Sequence, residues 1–493
     1  MTEKLLSELG LTAPRGGDRA VTGLSIDSRK VKPGHLFAAL PGTRVHGAEF
    51  IRFALRMQAA AILTDRQGAE IAAAELAASD AVLITVEDPR AALAHASALW
   101  FGAQPGCVVA VTGTNGKTSV ASFTRQIWTA LGHEAANIGT TGVEGAYSAP
   151  GIHTTPDPLT LHALLADMAA AGVDHVAMEA SSHGLDQARM EAVHLAAAAF
   201  TNFTQDHLDY HDTMEAYFEA KLRLFTQLLP EETTAVVNLD DPRGAEVAEA
   251  CERREIEVLG VAQYADDARL KITGRRMDET GQDVLFRWQG TPYQARLDLI
   301  GGFQAMNVLT AAGLVIGAGE EPEAVFGVLS QVSGVRGRME LAARRANGAP
   351  VYVDYSHTPD SLQTALQALR PHVLGRLIVV FGAGGDRDRG KRPLMGQAAA
   401  GHADVLIVTD DNPRSEDPAA IRAEVLAGCP DATEVGDRAE AILRGIDALQ
   451  AGDALLIAGK GHESGQQVGD VIYPFDDVEQ ASVAVAALEG KLA

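Results

Sequence analysis

Residues 108–118 read VVAVTGTNGKT, an apolar run that enters a glycine loop and leaves it on a helical pattern, SVASFTRQIWTAL, closed by Gly132. A buried strand, a glycine turn and a helix in that order form one unit of a parallel α/β sheet, because the next parallel strand can join only after a crossover. The same order suits phosphate. Gly113 and Gly116 let backbone N–H groups approach phosphate oxygens, and the helix start adds positive potential. Thr114, Asn115 and Ser119 complete the loop, Lys117 can reach the outer phosphates, and the Thr118 hydroxyl can ligate Mg²⁺. One departure is Val111, which stands where the common form of this loop has its first glycine. The competing reading is a helix entry that needs its glycines only for the turn.

The rest of the chain extends the α/β pattern. Its 493 residues predict about three domains. Residues 1–104 mix short apolar runs with helical patches, including an expected surface helix over 69–81, and end near the linker-like GAQPG at 102–106. Residues 105–334 repeat apolar runs at 175–178, 195–200 and 234–237 with helical patterns between them. Within that block, 269–300 turns to period 2, which predicts a small antiparallel sheet. Residues 335–493 open a second series, VYVD, RLIVVF, DVLIVT and DALLIA, each followed by a polar loop. The expected fold class is therefore α/β in three domains. A central parallel-sheet, P-loop ATPase-like domain carries the small antiparallel sheet, a smaller α/β domain precedes it, and a Rossmann-like α/β domain follows.

Composition limits the partners. The formal charge is −24, which disfavours generic binding to nucleic acid or anionic membrane. Cys107, Cys251 and Cys429 are too few and too scattered for a disulfide scaffold or a zinc ribbon. The N-terminus has no signal-peptide pattern, and no apolar run approaches the ~18 residues of a membrane span. The expected setting is cytoplasmic, with small-molecule partners and a monomeric chain.

Further candidates sit where strands should end. Glu179 closes the 175–178 run and is placed for a metal. TNFTQDHLDYH at 201–211 holds two histidines and two acids but no third ligand at zinc spacing. Lys221 alone reads as a solvated helix lysine. Arg387, Arg389, Lys391 and Arg392 crowd a glycine loop, and Asp411, Asn412, Pro413 and Arg414 follow the next strand. Mixed acids and arginines can grip a zwitterion, although a surface salt-bridge cluster would look the same.

Taken in order, GTNGKTS, MEASSHGLDQAR, NFTQDHLDYH, GGFQAMNVLTAA, GRME and VDYSHTPD resemble the Mur ligases, ATP-dependent amide-forming enzymes of peptidoglycan precursor synthesis. SIDSRKVKPGHLFAALPG is similar to the UDP-binding segment of the branch that adds the third amino acid, and GAGGDRDRGKRP with DDNPRSEDP to its meso-diaminopimelate-adding members. The resemblance implies that Lys117 and Thr118 bind ATP phosphates and Mg²⁺, and that Glu179 and His207 hold metal together with a carbamylated Lys221. It implies that Asn307, Arg338 and Asp354 complete the nucleotide site. It assigns Ile26, Ser28, Thr43, Arg44, Val45, Thr154, Thr155, Ser181, Gln187 and Arg189 to the UDP-sugar peptide. Arg387, Asp411, Asn412, Pro413, Arg414, Gly459 and Glu463 would take diaminopimelate. Asp212 departs from the glycine usual after DYH in this branch. A lysine-adding relative, a folylpolyglutamate synthase-like ligase and a non-catalytic nucleotide switch are the competing readings.

Overall fold

A computed structural model describes residues 3–13, 17–42, 45–151, 153–278 and 280–491. Three principal sheets follow one another along the chain. The first is parallel and pairs β1 (Gly23–Ser25), β2 (His35–Ala38), β3 (Ala61–Thr64) and β4 (Val82–Thr85) in that order. Helix α1 (Pro89–Phe101) follows, started by the Asp88 carboxylate, which accepts from the N–H groups of Arg90 and Ala91. The expected helix over 69–81 is instead two short pieces, Arg66–Ile71 and Ala73–Ala77, interrupted at Ala72.

The central sheet has ten strands. In chain order these are β5 (Cys107–Thr112), β6 (Ala135–Gly139), β7 (Gly142–Gly145), β8 (His175–Glu179), β9 (Leu195–Phe200), β10 (Thr234–Asn238), β11 (Glu257–Ala262), β12 (Leu270–Asp278), β13 (Gly281–Trp288) and β14 (Thr291–Leu297). Their spatial order is β14-β13-β12-β11-β10-β9-β5-β8-β6-β7. The strands from β12 back through β5 to β6 pair in parallel. The period-2 segment is antiparallel as its pattern predicts. It is not a separate sheet, because Leu270 and Lys271 pair with Val261 and Ala262 and continue the main one.

Both faces of the parallel part of this sheet are covered, so β5, β8, β9 and β10 are largely apolar. Val109 and Val111 pack on the side of α2 (Lys117–Leu131) and α4 (Phe303–Gly317). Val108 and Ala110 pack on the opposite side with Leu161, Leu165 and Phe218. Phe218 belongs to α3 (Met214–Arg223), which also carries Lys221.

The third sheet contains β15 (Glu340–Arg344), β16 (Pro350–Asp354), β17 (Leu377–Phe381), β18 (Val405–Val408), β19 (Thr433–Glu434) and β20 (Ala454–Ala458), in the spatial order β15-β16-β20-β17-β18-β19. A hairpin of β21 (Gly465–Val468) and β22 (Val471–Pro474) stands beside it. Helix α5 (Pro359–Leu369) begins with a capping box between Thr358 and Ser361, and α6 (Lys391–His402) follows the glycine loop. In open α/β sheets, ligands gather at the carboxyl ends of the strands. Here those ends of the central and third sheets border shared cavities.

Candidate functional site

Two adjoining cavities lie between the central and third sheets. One, about 440 Å³, is lined by Thr114, Asn115, Gly116, Lys117, Thr118 and Ser119, with Thr140, Thr154, Glu179, Ser181, His207, Lys221, Asn307, Arg338 and Asp354. The other, about 410 Å³, is lined by Arg387, Lys391, Asp411, Asn412, Arg414, Gly459 and Glu463 from the third sheet and by His183, Asp206, His207 and Asp209 from the central block. Asp206, His207, Tyr355, His357 and Asp360 belong to both linings.

The phosphate loop forms because β5 ends beside β9. A Cβ at Gly113 would fall 1.9 Å from the Thr201 hydroxyl, and one at Gly116 would fall 2.7 Å from the Asn307 amide oxygen. Both glycines also have positive φ, so side chains there would be strained twice over. Lys117 folds back onto its own loop, with Nζ donating to the Gly113 and Thr114 carbonyls at 2.9 and 2.8 Å. Burial lowers its pKa, and Arg338 adds to this against Glu179 and Asp206. Those carbonyl bonds hold the ammonium in place until a better acceptor arrives.

Glu179 is 1% exposed at the end of β8. Its carboxylate accepts from the Thr140 N–H at 2.8 Å and from the Thr140 hydroxyl at 3.2 Å. Gly139 makes room for it, since a Cβ there would meet Oε1 at 2.1 Å.

Lys221 is not a solvated helix lysine. It is buried, its Nζ donates to the Gly113 carbonyl at 2.7 Å, and it lies 4.4 Å from the Tyr217 ring centroid. No carboxylate pairs with it among the described residues. Burial, reinforced by the Lys117 charge, drives its pKa well below the usual lysine value, against the weaker pull of Asp206.

The histidines nearby are held neutral. Desolvation pushes His183 and His207 down to about 4. His183 supplies the imidazole that the 201–211 segment lacked, with its ring 4.8 Å from His207 and 5.7 Å from His211. The ligand atoms of these three rings do not converge as a metal group among the described residues. Thr118, Glu179, His207 and Lys221 do line one cavity. A hydroxyl and a buried carboxylate beside an anion-binding loop suit Mg²⁺, which prefers few protein ligands plus phosphate oxygens.

Arg338 crosses between the blocks, donating from Nη2 to the Thr118 hydroxyl at 2.9 Å while its guanidinium lies over Tyr355. Asp354, at the end of β16, accepts from the Met339 N–H at 2.7 Å and from the Ser356 hydroxyl. Asn115 reaches Asp360 at 3.3 Å.

In the second cavity, Asn412 donates to Glu463 at 2.8 Å, and Lys460 bridges Asn412 and Glu463 at 3.0 and 3.1 Å. Arg414 has φ 51° and donates from Nη1 to the Gly385 carbonyl at 2.8 Å. Gly385 is required there, since a Cβ would fall 1.9 Å from the Pro413 carbonyl. The four basic residues of the glycine loop divide in two. Arg387 and Lys391 line the cavity. Arg389 and Arg392 instead bind Glu416 and Glu424, with Arg392 fully buried, so they hold the loop.

The substrate set is only partly gathered. Thr154 contacts Thr140, Ser181 donates to the Thr155 hydroxyl at 3.0 Å, and Arg189 binds the Thr155 carbonyl and Gln187. Ile26, Ser28 and Val45 line neither cavity. Thr43 and Arg44 lie outside the described residues. Pro413 lines neither cavity and acts through the turn. Asp206, His183, His357 and Lys460 were not singled out in the sequence. Asp206, His183 and His357 had a signal, their place within the quoted motifs NFTQDHLDYH, MEASSHGLDQAR and VDYSHTPD.

Comparison with known proteins identifies the family. Residues 20–100 match "Mur ligase family, catalytic domain", 111–315 match "Mur ligase middle domain", and 337–461 match "Mur ligase, glutamate ligase domain". The chain is 49% identical over 495 residues to the UDP-N-acetylmuramoyl-L-alanyl-D-glutamate–2,6-diaminopimelate ligase of Caulobacter vibrioides, covering 99% of each. It is 49% identical to the Bradyrhizobium diazoefficiens ligase of the same name, covering 95% of each. A solved ligase of that name superposes with a TM-score of 0.70 at 33% identity, over 99% of this chain and 100% of the other. Mycobacterium tuberculosis folylpolyglutamate synthase complexed with ADP shares the fold at 20% identity, TM-score 0.63, over 82% of this chain and 95% of the other.

Proposed function

The chain belongs to the Mur ligase family, and from that premise we propose that it joins meso-diaminopimelate to the D-glutamate γ-carboxylate of UDP-N-acetylmuramoyl-L-alanyl-D-glutamate, with cleavage of ATP. The observation that carries this reading is the second cavity. It sets Arg387 and Arg414 against Asp411 and Glu463, and it shares a wall with the phosphate-loop cavity. Arginine forks suit carboxylates and the acids suit ammonium groups, so the lining matches an amino acid charged at both ends. A lysine-adding reading leaves one arginine without an anion.

Residues 1–104 are assigned to the UDP-substrate domain, 105–334 to the ATP domain and 335–493 to the amino-acid domain. The protein is read as a cytoplasmic monomer acting on small molecules. No helix among the described residues is long and apolar enough to cross a membrane.

A carboxylate is a poor acyl donor, because its leaving group would be oxide. ATP transfers its γ-phosphoryl group to the γ-carboxylate, giving an acyl phosphate and ADP. The diaminopimelate amine then attacks the acyl carbon, and phosphate departs. Phosphoryl transfer of this kind depends on positioning and charge neutralisation. Gly113–Ser119 cradle the phosphates, and Lys117 trades its loop carbonyls for phosphate oxygens. Thr118, Glu179, His207 and a carbamylated Lys221 would hold Mg²⁺, which would supply the remaining positive charge. A neutral buried amine is the form that adds CO₂, so the depressed pKa of Lys221 supports that modification. Asp411 and Glu463 orient the incoming ammonium, and Asp206, on the shared wall, is placed to receive its proton. Closure through Arg338 keeps water from the acyl phosphate.

The direct test is phosphate release with UDP-muramoyl dipeptide, ATP and diaminopimelate. Release that depends on all three substrates and vanishes in Lys117→Ala supports the reading. Full turnover in that variant would refute the phosphate-loop assignment.

A further inference from the structure

The amino-terminal ends of the central strands carry a second cluster. Helix α2 stops at Gly132, where Gly132 N–H bonds Thr129 O at 3.1 Å and His133 N–H bonds Trp128 O at 3.0 Å. This left-handed stop delivers His133 to the foot of β8. There one ligand atom from each of His133, Asp174 and His175 lies within 4.8 Å of the other two. The His175 Nδ1 and an Asp174 oxygen are 2.8 Å apart, and the His133 Nδ1 is 3.9 Å from the other Asp174 oxygen. The two rings lie 4.1 Å apart.

Glu320 completes the arrangement. Its carboxylate lies 2.8 Å from the His133 Nε2. A proton held there leaves the His133 Nδ1 lone pair free, 3.9 Å from Asp174. A carboxylate behind the imidazole is the usual second partner of a metal-bound histidine. The site also lies at the C-terminal ends of α2 and α4, neither of which carries a basic residue in its last turn. The partial negative charge of both helix ends therefore favours a cation.

We propose that His133, Asp174 and His175, with Glu320 orienting His133, form a Zn²⁺-class metal site. Two imidazoles and one carboxylate, with no thiolate, suit a first-row divalent ion, and the fourth position is left for water. Binding replaces the proton between His175 and Asp174, and that proton leaves to solvent. The side chains are 16–53% exposed, so an ion can enter and the ligands can close by rotation. His175 pairs with Cys107 at the start of β5, whereas Lys117 follows its far end. The ion would thus be separate from catalysis, tying the end of the phosphate-loop helix to the sheet and to α4.

The test is Zn²⁺ titration of the full-length, chelator-stripped protein, followed by calorimetry and thermal unfolding. Wild type should bind a Zn²⁺ equivalent and unfold at higher temperature with it. His133→Asn/His175→Asn should lose both effects, while His183→Asn/His207→Asn, which removes histidines from the catalytic cavities, should keep them. Glu320→Gln leaves all three ligands in place and should weaken binding roughly 10- to 100-fold. It also serves as the check if the double variant folds poorly. Unchanged Zn²⁺ stoichiometry and affinity in His133→Asn/His175→Asn, or in Glu320→Gln, would overturn the assignment.

Discussion

Arg338 donates to the Thr118 hydroxyl at 2.9 Å across 220 positions of sequence. One residue lies just before the third sheet and the other in the first turn of the phosphate-loop helix. The oxygen that accepts this bond is the one assigned to Mg²⁺. On the proposed assignment, nucleotide binding would exchange this contact for bonds to phosphate, with Arg338 at the point where closure and chemistry meet.

Removing Arg338 deletes both the closure contact and a charge facing the phosphates. Arg338→Ala is expected to lose roughly 100-fold or more in kcat/KM, the scale seen for preorganised transition-state donors. Arg338→Lys should recover only part of this, because an ammonium lacks the planar fork and its stacking on Tyr355. Steady-state phosphate release checks both variants, and near-wild-type rates would remove Arg338 from the site.

Lys221 gives a chemical test. Lys221→Ala should be nearly inactive, and short carboxylic acids should restore part of the activity by replacing the lost carboxylate-like ligand. Wild type equilibrated with ¹³C-labelled CO₂ should show a carbamate signal that the variant lacks. An unimpaired alanine variant would return Lys221 to a packing role.

His462 predicts a pH effect. Its ring lies 5.0 Å from Tyr355, and burial, with the Arg338 and Arg336 charges, pushes it down to about 3. The folded state refuses a proton that the unfolded state accepts below the ordinary value of 6.5. Its contribution to stability therefore falls as pH drops from 6.5 toward about 3. His462→Gln should narrow the gap between unfolding temperatures measured at pH 7.5 and pH 5. An equal gap in both proteins would contradict the shift.

Local chemistry made some of this legible from sequence. The phosphate loop could be read because strand, glycines, Lys117 and helix are contiguous, and Glu179 because a strand end is visible in the apolar run before it. The burial of Lys221 could not be read, since it depends on α3 packing against a loop 108 residues away. The same limit hid the split between Arg387, which lines the cavity, and Arg392, whose partners Glu416 and Glu424 come from a later helix and its approach. The hairpin was also hidden. Gln467 N–H bonds the Asn412 side chain at 2.9 Å, and Arg414 N–H bonds the Gln467 carbonyl at 3.1 Å, so β21 fixes a loop some 55 residues earlier.

The choice of amino acid rests on Arg414. Meso-diaminopimelate carries a distal carboxylate that L-lysine lacks, and truncating one partner of a buried charged pair costs roughly 2–5 kcal/mol. Arg414→Ala should therefore lose most activity with diaminopimelate, and Arg414→Lys should rescue poorly. Lysine use should stay low, because removing an unpaired charge does not build a lysine site. The decisive measurement is the ratio of kcat/KM for meso-diaminopimelate over L-lysine, taken by phosphate release in wild type and Arg414→Ala. The account predicts a strong preference in wild type that collapses in the variant. Equal use of both amino acids by wild type, or a variant that keeps full rate and full preference, would contradict it.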